Sequence, residues 1–241
     1  MAINTNFFPW VGGKQAYGSK LELFLAVYLR FCVNEMGVCT VSYSELAEIL
    51  GLSLNGGKAA HNAREKISNV IKGLVTRGKE DFPNDFICFG VPNKKDEDIR
   101  INDAFKIPVK SMKREQIPPF VVVELDDFFK IVSAAKNASI KPDELFALYV
   151  FLKGWMRPVA FDEGKDKSLG CWLCREQITT SLHISVPTYM KYRKILEENE
   201  LIFFKQGQAQ ISPALFSTTN NPAIWTAIED AILAEDNEEG S

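Results

Sequence analysis

The sequence predicts an α+β chain, mainly helical, in which one folding unit occurs twice. Three observations carry this expectation. The block Val41-Ser-Tyr-Ser-Glu-Leu-Ala-Glu-Ile-Leu-Gly-Leu-Ser53 aligns without a gap on Leu173-Cys-Arg-Glu-Gln-Ile-Thr-Thr-Ser-Leu-His-Ile-Ser185, so that Leu46 meets Ile178, Leu50 meets Leu182, Leu52 meets Ile184 and Ser53 meets Ser185. An apolar helix precedes each block and opens on the same three residues, at Glu22-Leu-Phe and Glu144-Leu-Phe. After each block comes a further helix and then a pair of short apolar runs with strand character. Helix, short helix, turn, helix, hairpin is the order of a winged helix-turn-helix. The expected architecture is therefore two such domains in tandem: residues 1–114 with a basic linker, and 115–241 with a C-terminal helix and an acidic tail.

Each element has its own warrant. Residues 1–18 carry Pro9, Gly12, Gly13 and Gly18 and read as an arm with little regular structure. Ser19 is placed to cap a helix running to about Met36, its apolar face made of Leu21, Phe24, Leu25, Tyr28, Leu29 and Cys32. Val41 reads as a strand residue, Ser42 or Ser44 as the cap of a short helix, and Gly51 as its stop. A long helix is expected from about Lys58 to Arg77, with Ala63, Ile67, Val70, Ile71 and Leu74 on one stripe. Phe86–Phe89 and Asp98–Ile101 are the expected first wing. Residues 105–114 hold four bases and no acid, and with Pro118-Pro119 they mark the domain boundary. A short helix over Leu125–Ala135 leads into the second unit. There, helices are expected over Pro142–Met156, Cys174–Leu182 and Val186–Asn199. A hairpin of Leu201–Phe204 and Ala209–Ile211 turns at Gly207, and a last amphipathic helix spans 222–234.

Composition bounds the function. An apolar fraction of 46% is globular, and five cysteines without a basic, apolar leader at the N-terminus fit a reducing cytoplasm. No stretch approaches the roughly eighteen apolar residues a membrane span requires. The net charge of −3 argues against a nucleic-acid binder until its distribution is considered. Six acids and no bases follow residue 228, so residues 1–228 alone carry +3. Local basic faces, more than total charge, decide such binding.

In a helix-turn-helix the second helix carries its outward face to the bases. With the core stripe at Ile67, and about 100° per residue, the outward residues of the first copy are Lys58, His61, Asn62, Glu65, Asn69 and Lys72. Asn reads adenine edges and Lys meets guanine or phosphate. In the second copy the core stripe is Tyr189, Tyr192, Ile195 and Leu196. Thr188, Lys191, Arg193 and Lys194 are the candidate DNA contacts, with Pro187 and Met190 at the margin. Lys94 and Lys95 at the first wing and Lys205 at the second are candidate phosphate contacts, as are Lys106, Lys110, Lys113 and Arg114 of the linker. For each face the alternative is an ordinary solvated helix surface.

Cys171-Trp-Leu-Cys174 has CxxC spacing, but a zinc site needs two further ligands, and Cys32, Cys39 and Cys88 are scattered. Buried free thiols are the expectation, with no cofactor and no metal. His61 and His183 stand alone, and His183 takes the turn position of Gly51, which suggests a structural role. Gly12-Gly13-Lys14 is too short for a phosphate-binding loop, and no catalytic constellation emerges.

The two opening helices, the two thirteen-residue blocks and the apolar runs Phe120–Val123 and Leu201–Phe204 together resemble the tandem winged-helix replication initiators of plasmids and phages of Gram-positive bacteria. They are also similar to the winged-helix part of DnaD-type replisome organisers. The resemblance implies recognition of double-stranded origin DNA, a homodimer that converts to monomer, and recruitment of helicase-loading or other replication proteins. A transcriptional regulator built from the same modules, and a protein-interaction scaffold that binds no DNA, remain the competing readings.

Overall fold

A computed structural model describes residues 2–4, 19–35, 38–39, 41–80, 105–106, 120–160, 168–206 and 213–239. The fold is mainly helical with small antiparallel sheets, as the sequence leads one to expect. It divides into two compact units, Met1–Ala147 and Leu148–Ser241.

In the first unit, strand β1 (Ala2–Asn4) is followed by helix α1 (Lys20–Phe31). Ser19 caps α1, its Oγ accepting the Glu22 N–H at 3.1 Å. The helix stops at Phe31, short of the expected Met36, with Cys32 at its C-cap. Strand β2 (Val38–Cys39) pairs antiparallel with β3 (Phe105–Lys106). Between them lie α2 (Tyr43–Ile49) and the long α3 (Gly57–Glu80). Of the stripe predicted on α3, Ala63, Ile67, Ile71 and Leu74 are buried and Val70 is half-buried, and the helix packs against α1 and α2. Gly73 lets α3 approach α1, since a Cβ there would stand 3.2 Å from Glu22 Oε1. The expected first wing, 86–101, lies outside the described residues.

Strand β4 (Phe120–Val122) pairs antiparallel with β1 and leads into α4 (Leu125–Asn137). The reading that divided the chain after residue 114 put α4 with the second unit. In the fold α4 lies in the first, because its Phe128 stacks on Phe24 of α1 at 4.9 Å between centroids and meets Phe146 edge-on at 5.4 Å. The division between units falls inside α5 (Pro142–Trp155).

The second unit continues with β5 (Arg157–Ala160), β6 (Ser168–Leu173), α6 (Arg175–Leu182), α7 (Val186–Glu198), β7 (Phe203–Lys205), β8 (Ala214–Ser217) and α8 (Pro222–Glu239). The sheet order is β5-β6-β8-β7, all antiparallel. Strands β5 and β6 were not expected, because Arg157–Ala160 and Ser168–Leu173 are too short to show a period, and a polar loop separates them. The strand paired with β7 is Ala214–Ser217, beyond the expected Ala209–Ile211, which lies outside the described residues. Alternation gives the sheet two faces. Cys171, Leu173 and Phe216 point one way, while Trp172, Phe203 and Leu215 lie under Ile224, Trp225 and Ile228 of α8. That helix runs to Glu239, past its expected end at 234.

Candidate functional site

The two thirteen-residue blocks fold alike at the level of single hydrogen bonds. Ser42 caps α2, and Glu45 reaches back to its backbone N–H at 2.6 Å. At the matching positions Cys174 caps α6, and Gln177 reaches back to its N–H at 2.9 Å. Each helix ends on a left-handed residue, Gly51 with φ +64° and His183 with φ +49°. The Leu52 N–H then donates to the Ala47 carbonyl at 2.8 Å, and the Ile184 N–H to the Thr179 carbonyl at 3.1 Å. These are the same six-to-one closure.

After the turn the copies diverge. Ser185 is the N-cap of α7, its Oγ accepting the Thr188 N–H at 3.3 Å. In the first copy Ser53 instead accepts the Asn55 N–H at 3.3 Å, and Gly56 and Gly57, both at positive φ, carry the chain to α3. The turn before the long helix is therefore longer in the first unit.

The expected outward residues of α3, namely Lys58, His61, Asn62, Asn69 and Lys72, are all exposed. An acid shares this face: His61 Nδ1 lies 3.9 Å from Glu65 Oε2, one turn on. Lys94 and Lys95 lie outside the described residues, as do Lys110, Lys113 and Arg114. Lys106 falls in β3.

On α7 the candidates separate into two groups. Lys191 is exposed, and so is Lys194, whose Nζ lies 3.5 Å from Glu198 Oε1. Thr188 and Arg193 are occupied within the fold. The Thr188 hydroxyl shares a 2.8 Å hydrogen bond with Ser185 Oγ. The Arg193 guanidinium lies over Phe204, its Cζ 3.7 Å from the ring centroid, and its Nε is buried without a partner among the described residues. It also bonds Tyr189, whose hydroxyl is held above its ordinary pKa mainly by burial, against the opposing pull of Arg193. Arg193 thus ties the helix to β7. Lys205 is occupied as well. Strand alternation turns it to the α8 side, where Nζ meets Glu229 Oε1 at 2.9 Å.

Between α6, α7 and the β7–β8 pair lies an open cleft of about 370 Å³ lined by Arg175, Tyr189, Met190, Arg193, Phe204 and Gln206. Comparison with protein-family models, curated proteins and solved structures finds no match. The site is therefore judged on its own geometry.

Two features escaped the sequence reading. One is the Arg193–Phe204 stack, which joins residues that only the register of β7 brings together. The other is the exposure of Val186, which joins Met190, already expected at the margin of the core, on the same side of α7, each 41% exposed. Their spacing of four residues was the available signal.

The cysteines occupy unlike places. Cys171 is buried in β6, its Sγ 3.7 Å from the Leu152 carbonyl, and burial pushes its thiol up to about 12. Cys174 is exposed. In the first unit a hydrogen bond from Cys39, and a second from Tyr28, bring the Cys32 thiol down to about 7 against the opposing effect of burial. The donor Cys39 is correspondingly raised. Among the described residues no group of three His, Cys, Asp or Glu gathers as metal ligands do, and no helix is long and apolar enough to cross a membrane.

Proposed function

We propose that this chain binds double-stranded DNA sequence-specifically through two winged helices, in the initiation of replication of a plasmid, phage or similar element. The observation that carries the reading is in the second unit. Strand order β6-β8-β7 surrounds the α6–α7 pair, so the strand before the helix pair lies beside the last strand of the hairpin that follows it. This is the arrangement a winged helix requires, with α7 as its reading helix. The span Val186–Lys194 carries three bases and no acid. In the first unit α2 and α3 lie in the chain between the paired strands β2 and β3, which is compatible with the same plan. The role in replication rests on the resemblance alone, and a transcriptional regulator would use the same surfaces.

The test is binding of the full chain to random duplex DNA at two salt concentrations, beside a Lys191→Ala/Lys194→Ala variant. Each phosphate contact contributes about 0.9 to the slope of log affinity against log salt. The variant is expected to lose up to about 2 from that slope. No binding of either protein at low salt overturns the reading.

In that event a protein-docking scaffold takes its place, which one observation favours. Leu125 and Phe129, one turn apart on α4, are each 46% exposed, and Val122 just before them is 42% exposed. An apolar face of this kind suits a protein partner.

A further inference from the structure

The first two turns of α7 present an unusual surface for a helix that is to read base pairs. Apart from its lysines, hydrogen-bonding readers are missing from it. Thr188 is bound to the cap Ser185, and Arg193 lies on Phe204. No Asn, Gln or free Arg stands on the exposed side of Val186–Lys194, so Lys191 and Lys194, which can meet guanine or phosphate, are its only long hydrogen-bonding side chains. What does face outward is Val186 and Met190, each 41% exposed and one turn apart, with Pro187 beside them. Lys191 and Lys194 lie exposed next to this apolar strip. An apolar strip flanked by lysines complements one surface well: a major groove whose rims are phosphates and whose floor carries methyl groups. The thymine C5-methyl is the feature of the major groove that an apolar side chain can recognise.

We infer that Val186 and Met190 read thymine C5-methyl groups in the major groove, so that the second unit selects T·A pairs by apolar contact. The inference rests on the DNA-binding reading and specifies its chemistry. Lys191 and Lys194 then hold the helix in register on the phosphates, and Arg193 sets the angle between helix and wing without touching a base.

The test uses the full chain and a randomised duplex library, from which bound sequences are selected. The selected duplexes are remade with deoxyuridine in place of thymidine, which removes the methyl and leaves base pairing intact. Burying one methyl group predicts a loss of about fourfold in affinity for each contacted thymine. The Val186→Ala/Met190→Ala variant changes only exposed side chains, and it is expected to bind both duplexes with equal affinity while keeping its salt dependence. Equal, salt-dependent binding of both duplexes by the unaltered protein overturns the inference and leaves the DNA-binding reading standing. A thymine preference that survives in the variant also overturns it, because the methyl contact then lies elsewhere. Absence of binding to any duplex at low salt removes both.

Discussion

His183 does with a side chain what Gly51 does without one. Both close a helix in the left-handed region, at φ +49° and +64°, and an L-residue pays about 1 kcal/mol for that conformation. His183→Gly is therefore expected to raise stability by about 1 kcal/mol in a denaturant titration, and Gly51→Ala to lower it by a similar amount. Open space surrounds the Gly51 Cβ position, so the backbone alone sets that cost. The charged residues of α7 divide in the same way, by environment. Arg193→Ala removes a cation–π contact and is expected to cost about 1 kcal/mol of stability. Lys191→Ala, at an exposed position, is expected to leave stability unchanged and weaken DNA binding alone; equal stability of the two variants would count against the packing role. Among the thiols, Cys32 is expected to be alkylated faster as pH rises through about 7, whereas buried Cys171 stays protected. Removing the principal donor with Cys39→Ala should move the Cys32 midpoint upward, and an unmoved midpoint would exclude that hydrogen bond as the cause.

At the scale of elements, the caps were largely legible in the sequence. Ser19 and Ser42, both read as cap residues, each accept a backbone N–H from the first turn, and Ser185, not read as one, does the same for α7. Ser42→Ala is expected to cost about 1 kcal/mol. Its partner Glu45 has a carboxyl held below the ordinary range by hydrogen bonds from the Ser42 hydroxyl and backbone. A depressed pKa means this contribution is fully present above the unfolded-state pKa and fades as pH falls through the folded one. The cost of Ser42→Ala should therefore shrink in acid, and a cost independent of pH down to about 3 would remove Glu45 from the cap. Less legible was the start of α3. Ser53 matches Ser185 in the alignment, yet Leu54, Asn55 and Gly56 intervene before the helix begins at Gly57. Strands β5 and β6 were missed altogether. Cys171-Trp-Leu sits in β6 because Cys171 and Leu173 fill the core while Trp172 packs toward α8, an alternation too short to announce itself.

For the whole molecule, charge is divided along the chain, with six acids and no bases after residue 228. If that segment competes with phosphates for the basic faces, changing Glu235, Asp236, Glu238 and Glu239 to their amides should tighten binding to random duplex at low salt and leave it nearly unchanged at high salt, where screening removes long-range terms. Unaltered low-salt affinity would rule out such competition. The helical content, the repeated block, its caps and the buried stripe of α3 were determined by sequence alone, because each is a local pattern of turn residues and apolar spacing. Local patterns are silent on which distant residues meet. Only the tertiary structure placed α4 in the first unit, through Phe128 on Phe24, and turned Lys205 toward Glu229. It likewise laid Arg193 on Phe204, leaving Val186 and Met190 with Lys191 and Lys194 as the outward face of α7. The reason is physical: a side chain's direction depends on strand register and helix packing, and these are fixed by contacts far apart in the chain.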